Sequence, residues 1–459
     1  MAKRKITKGS AKANLGRTYR LAPTKDQSVK MTEWGHTARA LYNIALAQRE
    51  TMWGWRKTSV DKQVQFHSLA EARQDFDWIA DLPSAAGQDV LRHLHRAYLN
   101  WWNPDHPADH PTRKKRNGHL SFSLPNDATD VRHVNRKWSE VWVPKLGWVR
   151  FRRHRPLNGV VRGATFAYSP GSGWSVSFGV AAKPIIAPHS TKAPVGVDFG
   201  VACSAFLSSE QTPRLMDSTL NEGERRRLTG LERRSARQLA FAEKHNGGTY
   251  SHRLRKTSQE IARLRALQAR RRNDFTHKLT NDLAKNHGIV GIENLSVKNM
   301  TASAKGTVAS PGTNVTAKSG LNRGILDNVP YERSRQLAYK VERFGSVLVK
   351  VPPKNTSRRC STCEVVDPEN RPGCGRAFAC VACGFQDHAD HNAACNIETL
   401  AIALASANAK RTVGPTGGRL NGRTHNSTGR HQPSRVRKNA GASVKSNGTE
   451  QSGPECRVA

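Results

Sequence analysis

The stretch APVGVDFGVACSAFLSS, residues 193–209, holds two strand-like runs around a glycine turn, and an acid, Asp198, closes the first run. The run HGIVGIENL at 287–295 is built the same way and carries Glu293 at its end. A buried strand does not accommodate a lone carboxylate cheaply, so an acid placed there calls for a metal or a positive partner. A third acid, Asp390, opens the alanine-rich helix DHNAACNI. Three acids from separate segments can gather around two Mg²⁺ ions, a set that activates water and steadies the leaving oxygen of a phosphodiester. Taken singly, each has a plainer reading: Asp198 as a turn residue, Glu293 as a salt-bridge partner, Asp390 as a helix N-cap.

Around these acids the pattern alternates between helix and strand. Residues 222–286 contain no proline and read as helix, and HNGG at 245–248 breaks them into an antiparallel hairpin. Its second arm sets Phe275, Leu279 and Leu283 on one face, while Arg270, Arg271 and Arg272 form a basic knot, either a solvated face or a phosphate contact. TASAKGTVASPGTNVTAKSG at 301–320 reads as a flexible loop, a lid beside the acids. A helix over 331–344 and the strand SVLVKVPP follow.

Six of the eight cysteines crowd into the next stretch, leaving Cys203 and Cys456 far away. Disulfides are not expected in a large cytosolic chain, so the clustering points to a metal. Cys360-Ser-Thr-Cys363 and Cys380-Val-Ala-Cys383 are separated by sixteen residues, a zinc-ribbon spacing. Each knuckle sets two thiolates ~2.3 Å from one metal; two complete a tetrahedron with no open position, a structural zinc site. Cys374 competes as a ligand but has no partner at knuckle spacing. Gly384 favours the turn after the second knuckle, where the first has Glu364.

Upstream, Met31, Trp34, Ala38, Leu41, Ala45 and Met52 recur at helical spacing, as do Val90, Leu91, Leu94, Tyr98 and Trp101, both stripes reading as helical core. NPDHPADHPTRKKRNG at 103–118 is a basic linker. LSFSL, VWV, LGWVRFRR, VVRGATFAY and GWSVSFGVA are five short β-type runs with turn residues between them. With an early strand at 17–21, they predict a small antiparallel barrel holding a helical insertion. Residues 188–194 read as a linker.

The chain has 459 residues, enough for about three domains. Its 74 Lys+Arg against 36 Asp+Glu give a formal charge of +38, which calls for a polyanionic partner. No run of eighteen apolar residues exists, and MAKRKITKGS lacks a signal peptide's apolar core, so the chain reads as cytoplasmic. Beyond Lys410 there is no aromatic residue; this tail reads as disordered until an anion binds it.

VGVDFG, IVGIENL and DHNAACNI, in that order and with a zinc ribbon just before the third, resemble the three RuvC motifs of TnpB proteins and of miniature type V CRISPR effectors. LNRGILD at 321–327, YKVERFG at 339–345, VKVPPKNTSRRCSTC, YRLAPTKDQ, LYNIALAQR and VPKLGWVRFRRHRPL are similar to further segments of that family, so the resemblance covers roughly 17–403. It implies a multidomain α+β chain: a wedge β-barrel at about 11–28 and 118–190 with a helical recognition insert at about 29–117. A RuvC domain of RNase H-like fold would occupy 191–403, including the hairpin 222–286 and an inserted ribbon at about 355–386, with a basic tail over 404–459. Asp198, Glu293 and Asp390 fall on the catalytic, magnesium-binding positions; Cys360, Cys363, Cys380 and Cys383 fall on the zinc positions. Asp387 is a rival third acid, but Asp390 alone has the D-x-N-A-A context. PENRPGCGRAF lengthens the ribbon hairpin, and Glu364 replaces a glycine. The implied partners are a guide RNA, target duplex DNA and its displaced strand, with the oligomeric state open. The implied reaction is cleavage of guide-paired DNA next to a short motif read by the protein. The rival readings are a guide-bound regulator that does not cut, a zinc-ribbon DNA-binding protein that needs no RNA, and a recombinase-type transposase, which would need a nucleophile or acid triad of its own that the sequence does not offer.

Overall fold

A computed structural model describes residues 13–412 apart from 117, 183–186, 202, 246, 308–309 and 372–375. The chain divides into two compact units, Met1–Ile186 with Asp217–Asp274, and Ala187–Met216 with Phe275–Ala459.

In the first unit, β1 (Ala13–Arg20) leads into α1 (Lys25–Arg56), α2 (Lys62–Asp75), α3 (Asp77–Asp81) and α4 (Ser84–Trp102). Thr24 and Gln27 cap α1 reciprocally: the Thr24 hydroxyl accepts the Gln27 amide at 3.2 Å, and the Gln27 side chain accepts the Thr24 amide at 3.1 Å. Met31, Trp34, Ala38, Leu41 and Ala45 are the buried face of α1, as their spacing predicts. On α4, Val90, Leu91, Leu94 and Tyr98 are buried. Trp101, expected on the same face, is instead 40 % exposed. It sits in the last turn, beyond the core, edge-on to His110 with ring centroids 4.7 Å apart. The short helices α2 and α3 leave little trace in the sequence because they bury only Gln65, Leu69 and Ile79.

The strands that follow are β2 (Leu120–Pro125), β3 (Val131–His133), β4 (Trp138–Val143), β5 (Gly147–Arg152), β6 (Val160–Ser169) and β7 (Gly173–Ala182). They form two antiparallel sheets, β1-β7-β6-β2 and β3-β4-β5, not the closed barrel predicted from the sequence. A bridge between Leu21 and Phe151 links the sheets. Alternation correctly names the inward side chains, Phe122, Val149, Phe151, Phe166, Val176 and Phe178. It cannot name which edges pair, and β3, only Val131–His133, is too short to show an alternation.

α5 (Glu222–His245) and α6 (His252–Asn286) form the expected pair of helices, with Arg227–Glu260 at 3.0 Å and Arg265–Glu232 at 2.8 Å between them. The boundary between units falls inside α6, after Asp274, whereas the sequence reading keeps the whole hairpin within 191–403. Within the basic knot, Arg271 is engaged by Glu224 at 2.6 Å and by the Thr219 carbonyl at 3.0 Å, which leaves it less available to phosphate.

The second unit is built on β8 (Val195–Asp198), β9 (Phe206–Leu207), β10 (Ile289–Glu293) and β11 (Val347–Val351), ordered β11-β10-β8-β9. β8, β10 and β11 are parallel, and β9 is antiparallel to β8. α7 (Val297–Met300), α8 (Val315–Asp327) and α9 (Pro330–Phe344) connect β10 to β11. Leu279, Leu283, Leu337 and Val341 join Val195, Val197, Val290 and Ile292 in one core; Ile397 and Ala401 join Val349 and Val351 in another.

The flexible-loop reading of 301–320 gives way in part, since residues 315–320 are the first turns of α8. There the Lys318 ammonium donates to the Met300 carbonyl at 2.8 Å and Asn322 donates to the Thr301 carbonyl at 3.1 Å, fastening α8 to the segment before it. β12 (Ala377–Ala379) and β13 (Gln386–His388) make a two-stranded ribbon, and α10 (Ala389–Thr412) follows directly. Because α10 continues to Thr412, the tail begins later than residue 404; the remainder of it lies outside the described residues, as does Cys374. No helix among the described residues is long and apolar enough to cross a membrane.

Candidate metal centres

The two strand runs that end in acids each contain a glycine, and the packing of α10 explains both. A Cβ on Gly196 would stand 2.0 Å from the Ala394 carbonyl oxygen, and one on Gly291 would stand 2.7 Å from the Ala401 Cβ. Helix and strands therefore approach too closely for side chains, and the small Ala393 and Ala394 of DHNAACNI lie buried at that crossing. This contact draws the start of α10, with Asp390, towards the carboxyl ends of β8 and β10.

Asp198 ends β8 and Glu293 ends β10. Burial of the Asp198 carboxyl, followed by the charges of Glu293 and Asp390, pushes its pKa up to about 7, with Arg371 acting in the opposite direction. Burial also raises Glu293, while the Thr356 hydroxyl, donating to its carboxylate at 2.5 Å, offsets part of the rise. Asp390 lies in the first turn of α10, one residue inside the helix, and faces the Arg371 guanidinium at 4.0 Å. Its rival Asp387 is engaged elsewhere: it meets the His391 ring at 2.6 Å and accepts the His388 amide at 2.7 Å. A cavity of about 350 Å³ opens beside Glu293, lined in part by Phe199, Tyr331, Arg335 and Lys350.

The thiols of Cys360, Cys363, Cys380 and Cys383 all lie within 4.8 Å of one another. Cys360 and Cys383 sulfurs are 3.7 Å apart, and those of Cys363 and Cys380 are 3.5 Å apart. Four thiolates held ~2.3 Å from one tetrahedral cation stand about 3.8 Å apart, so the set fits such an ion. The knuckles are built alike: the Glu364 amide donates to the Cys360 carbonyl and the Gly384 amide to the Cys380 carbonyl, both at 3.0 Å. Glu364 and Gly384 are both left-handed, at φ 65° and 71°.

Two buried asparagines join this ribbon to α10. Asn392 accepts the Ser361 amide at 2.9 Å and donates to the Arg359 carbonyl at 2.8 Å. Asn396 donates to the carbonyls of Thr356 and Arg359 at 3.0 and 2.7 Å. Thr356 thus touches Glu293 through its hydroxyl and α10 through its carbonyl. Nothing in the sequence singled out Thr356 or Arg371. The sequence reading also passed over Cys203, yet Cys203 and His388 lie against Asp390; separation along the chain concealed Thr356, Arg371 and Cys203, whereas His388 stands two residues from Asp390.

Residues 331–397 match the family described as "Cas12f1-like, TNB domain", 177–304 match "Probable transposase", and 13–57 match "Helix-turn-helix domain", a segment that here forms β1 and α1. The chain is 34 % identical over 385 residues to "Putative RNA-guided DNA endonuclease InsQ" of Escherichia coli (strain K12), covering 83 % of this chain and 90 % of that protein. It is 28 % identical over 209 residues to "CRISPR-associated endodeoxyribonuclease Cas12f1" of Sulfoacidibacillus thermotolerans, 44 % of each chain. A solved complex of Cas12f1 with single-guide RNA and target DNA aligns over 82 % of this chain and 83 % of that one, with a TM-score of 0.46 and 14 % identity. With an identity of 34 % sustained over nine-tenths of InsQ, the chain belongs to the TnpB family of RNA-guided DNA endonucleases.

Proposed function

We propose that this chain cuts guide-paired DNA at a single centre made of Asp198, Glu293 and Asp390. The observation that carries this reading is that the Asp198 carboxyl, buried and near the charges of Glu293 and Asp390, resists ionisation; a divalent cation offsets both the burial and the repulsion. Magnesium is the hard cation suited to these oxygen ligands, and when bound it would supply an acidic water and stabilise charge on the leaving oxygen. Thr356 orients Glu293, and Arg371 balances part of the charge on Asp390. The cavity beside Glu293 offers Phe199 and Tyr331 to bases and Lys350 to phosphates of the strand being cut, while Arg335 is held by Glu332 at 2.6 Å.

In this reading the second unit is the RuvC-type, RNase H-like domain, and its four cysteines hold a structural zinc that steadies the start of α10 through Asn392 and Asn396. The strands of the first unit are the wedge and α1–α4 the recognition insert, which together read a short motif in duplex DNA. Guide RNA is held mainly through phosphates by a chain carrying a charge of +38, and base pairing supplies the sequence specificity.

The test is Asp198→Asn, assayed with matched guide and target. Cleavage should fall by at least about 10³-fold, while guide-dependent DNA binding stays near wild type, because the acid serves chemistry and affinity comes from phosphate contacts. Cutting at the wild-type rate would remove Asp198 from the centre and favour a regulator that binds without cleaving. Full DNA affinity in protein purified free of RNA would favour the reading that needs no guide.

A further inference from the structure

Asp390 also belongs to a second group of donors. Cys203 follows β8, His388 ends β13 and Asp390 lies in the first turn of α10; one ligand atom from each lies within 4.8 Å of the other two. Cys203 is only 1 % exposed. His388 is stacked on Phe206, centroids 4.9 Å apart, and its Nδ1 accepts the Asp390 amide at 3.2 Å, which holds the ring beside Asp390. Thiol, imidazole and carboxylate together are the mixed donor set of zinc-type cations. Asp198, Glu293 and Asp390 offer oxygen alone, the set that suits magnesium.

We infer that Cys203, His388 and Asp390 form a second site, for zinc and similar borderline-soft cations, and that zinc bound there withdraws Asp390 from the carboxylate centre and inhibits cleavage. The inhibitory half rests on the function proposed above; the binding half does not. On binding, the Cys203 S–H bond breaks, its proton passes to solvent, and the thiolate pair of electrons is donated to the metal. A ring nitrogen of His388 donates its lone pair to the metal, and water completes the coordination. No electron transfer is involved. The ribbon site, with four thiolates, fills first and the mixed site fills at higher free zinc.

The experiment counts zinc bound to the full-length protein across a series of buffered free-zinc concentrations, with the ribbon site already filled. Wild type and a Cys395→Ser control should take up a second zinc, whereas Cys203→Ser and Cys203→Ala should not. In magnesium, the free zinc needed for half-inhibition of cleavage should rise by about tenfold or more in Cys203→Ser, as expected for loss of a ligand, with the zinc-free rate unchanged. Should either Cys203 variant lose guide-dependent DNA binding, and so be misfolded, His388→Gln provides the same zinc count. A second zinc bound equally well by Cys203→Ala overturns the site. A second zinc that disappears with Cys203 while inhibition stays the same overturns the coupling to Asp390. Neither result bears on the carboxylate centre, which the Asp198→Asn assay judges separately.

Discussion

At Asp198 the folded chain makes ionisation harder than the unfolded chain does, and that asymmetry has a pH signature. The group titrates at about 7 when folded against 3.8 in the reference state. Between these values the folded form binds more protons, so in magnesium-free buffer stability falls as pH rises from about 4 to about 7 and then levels off. The loss attributable to this residue is at most about 4 kcal/mol. Denaturant unfolding at pH 5 and pH 8 should show the fall, magnesium should reduce it at pH 8, and Asp198→Asn should leave only the part due to Glu293, which burial also raises; the same slope in Asp198→Asn would assign the effect to other groups. A second residue, Glu364, occupies a left-handed position that its counterpart in the other knuckle fills with Gly384. The cost of that conformation is roughly 1 kcal/mol or more, and the exposed ion pair with Arg359 at 2.6 Å returns only part of it. Glu364→Gly should therefore slow zinc release to a chelator and raise the melting temperature; faster release would mean that the ion pair outweighs the backbone strain.

Among the elements, α10 has the largest share in assembling the site. It crosses β8 and β10 at their glycines, presents Asp390 in its first turn and is tied to the cysteine ribbon by Asn392 and Asn396. A methyl group at residue 196 must displace helix backbone, since the nearest atom is the Ala394 carbonyl oxygen at 2.0 Å. Gly196→Ala should thus cost about 3 kcal/mol, the upper end for overpacking, and weaken cleavage through displaced Asp390. Chemical denaturation checks the first part and a cleavage assay the second. An unchanged unfolding midpoint would show that α10 can lift from the sheet without penalty.

For the whole molecule, charge and chain length separate the described body from the residues after it. Residues 413–459 hold eight Lys/Arg against two Glu and no aromatic residue. A segment of that composition adds affinity for nucleic acid through counterion release, without sequence information and with strong salt dependence. All three acids and all four paired cysteines lie before it. A chain ending at Thr412, where α10 ends, should still cut guide-matched DNA at moderate salt and bind non-specific DNA more weakly at low salt. Loss of cleavage at low salt with saturating guide would make the tail a specific functional element.

Local chemistry is what the sequence by itself determined. C-x2-C pairs at ribbon spacing named the four thiols that the fold brings together, because a knuckle is closed by its own turn hydrogen bonds. β-branched runs ending in acids named β8 and β10, because a strand's burial is written in its own residues. Motif order, more than any one motif, pointed to the family. Only the tertiary structure decided how the strands of the first unit pair, since alternation fixes faces and not edges, and two sheets stand where a barrel was expected. It alone placed Trp101 outside the core, which depends on where the packing partner ends and not on helical spacing. It also brought Cys203 and His388, far apart in the chain, to the same carboxylate. Contacts of that kind have no signature in any local stretch of residues, because they are set by how a helix lies across a sheet.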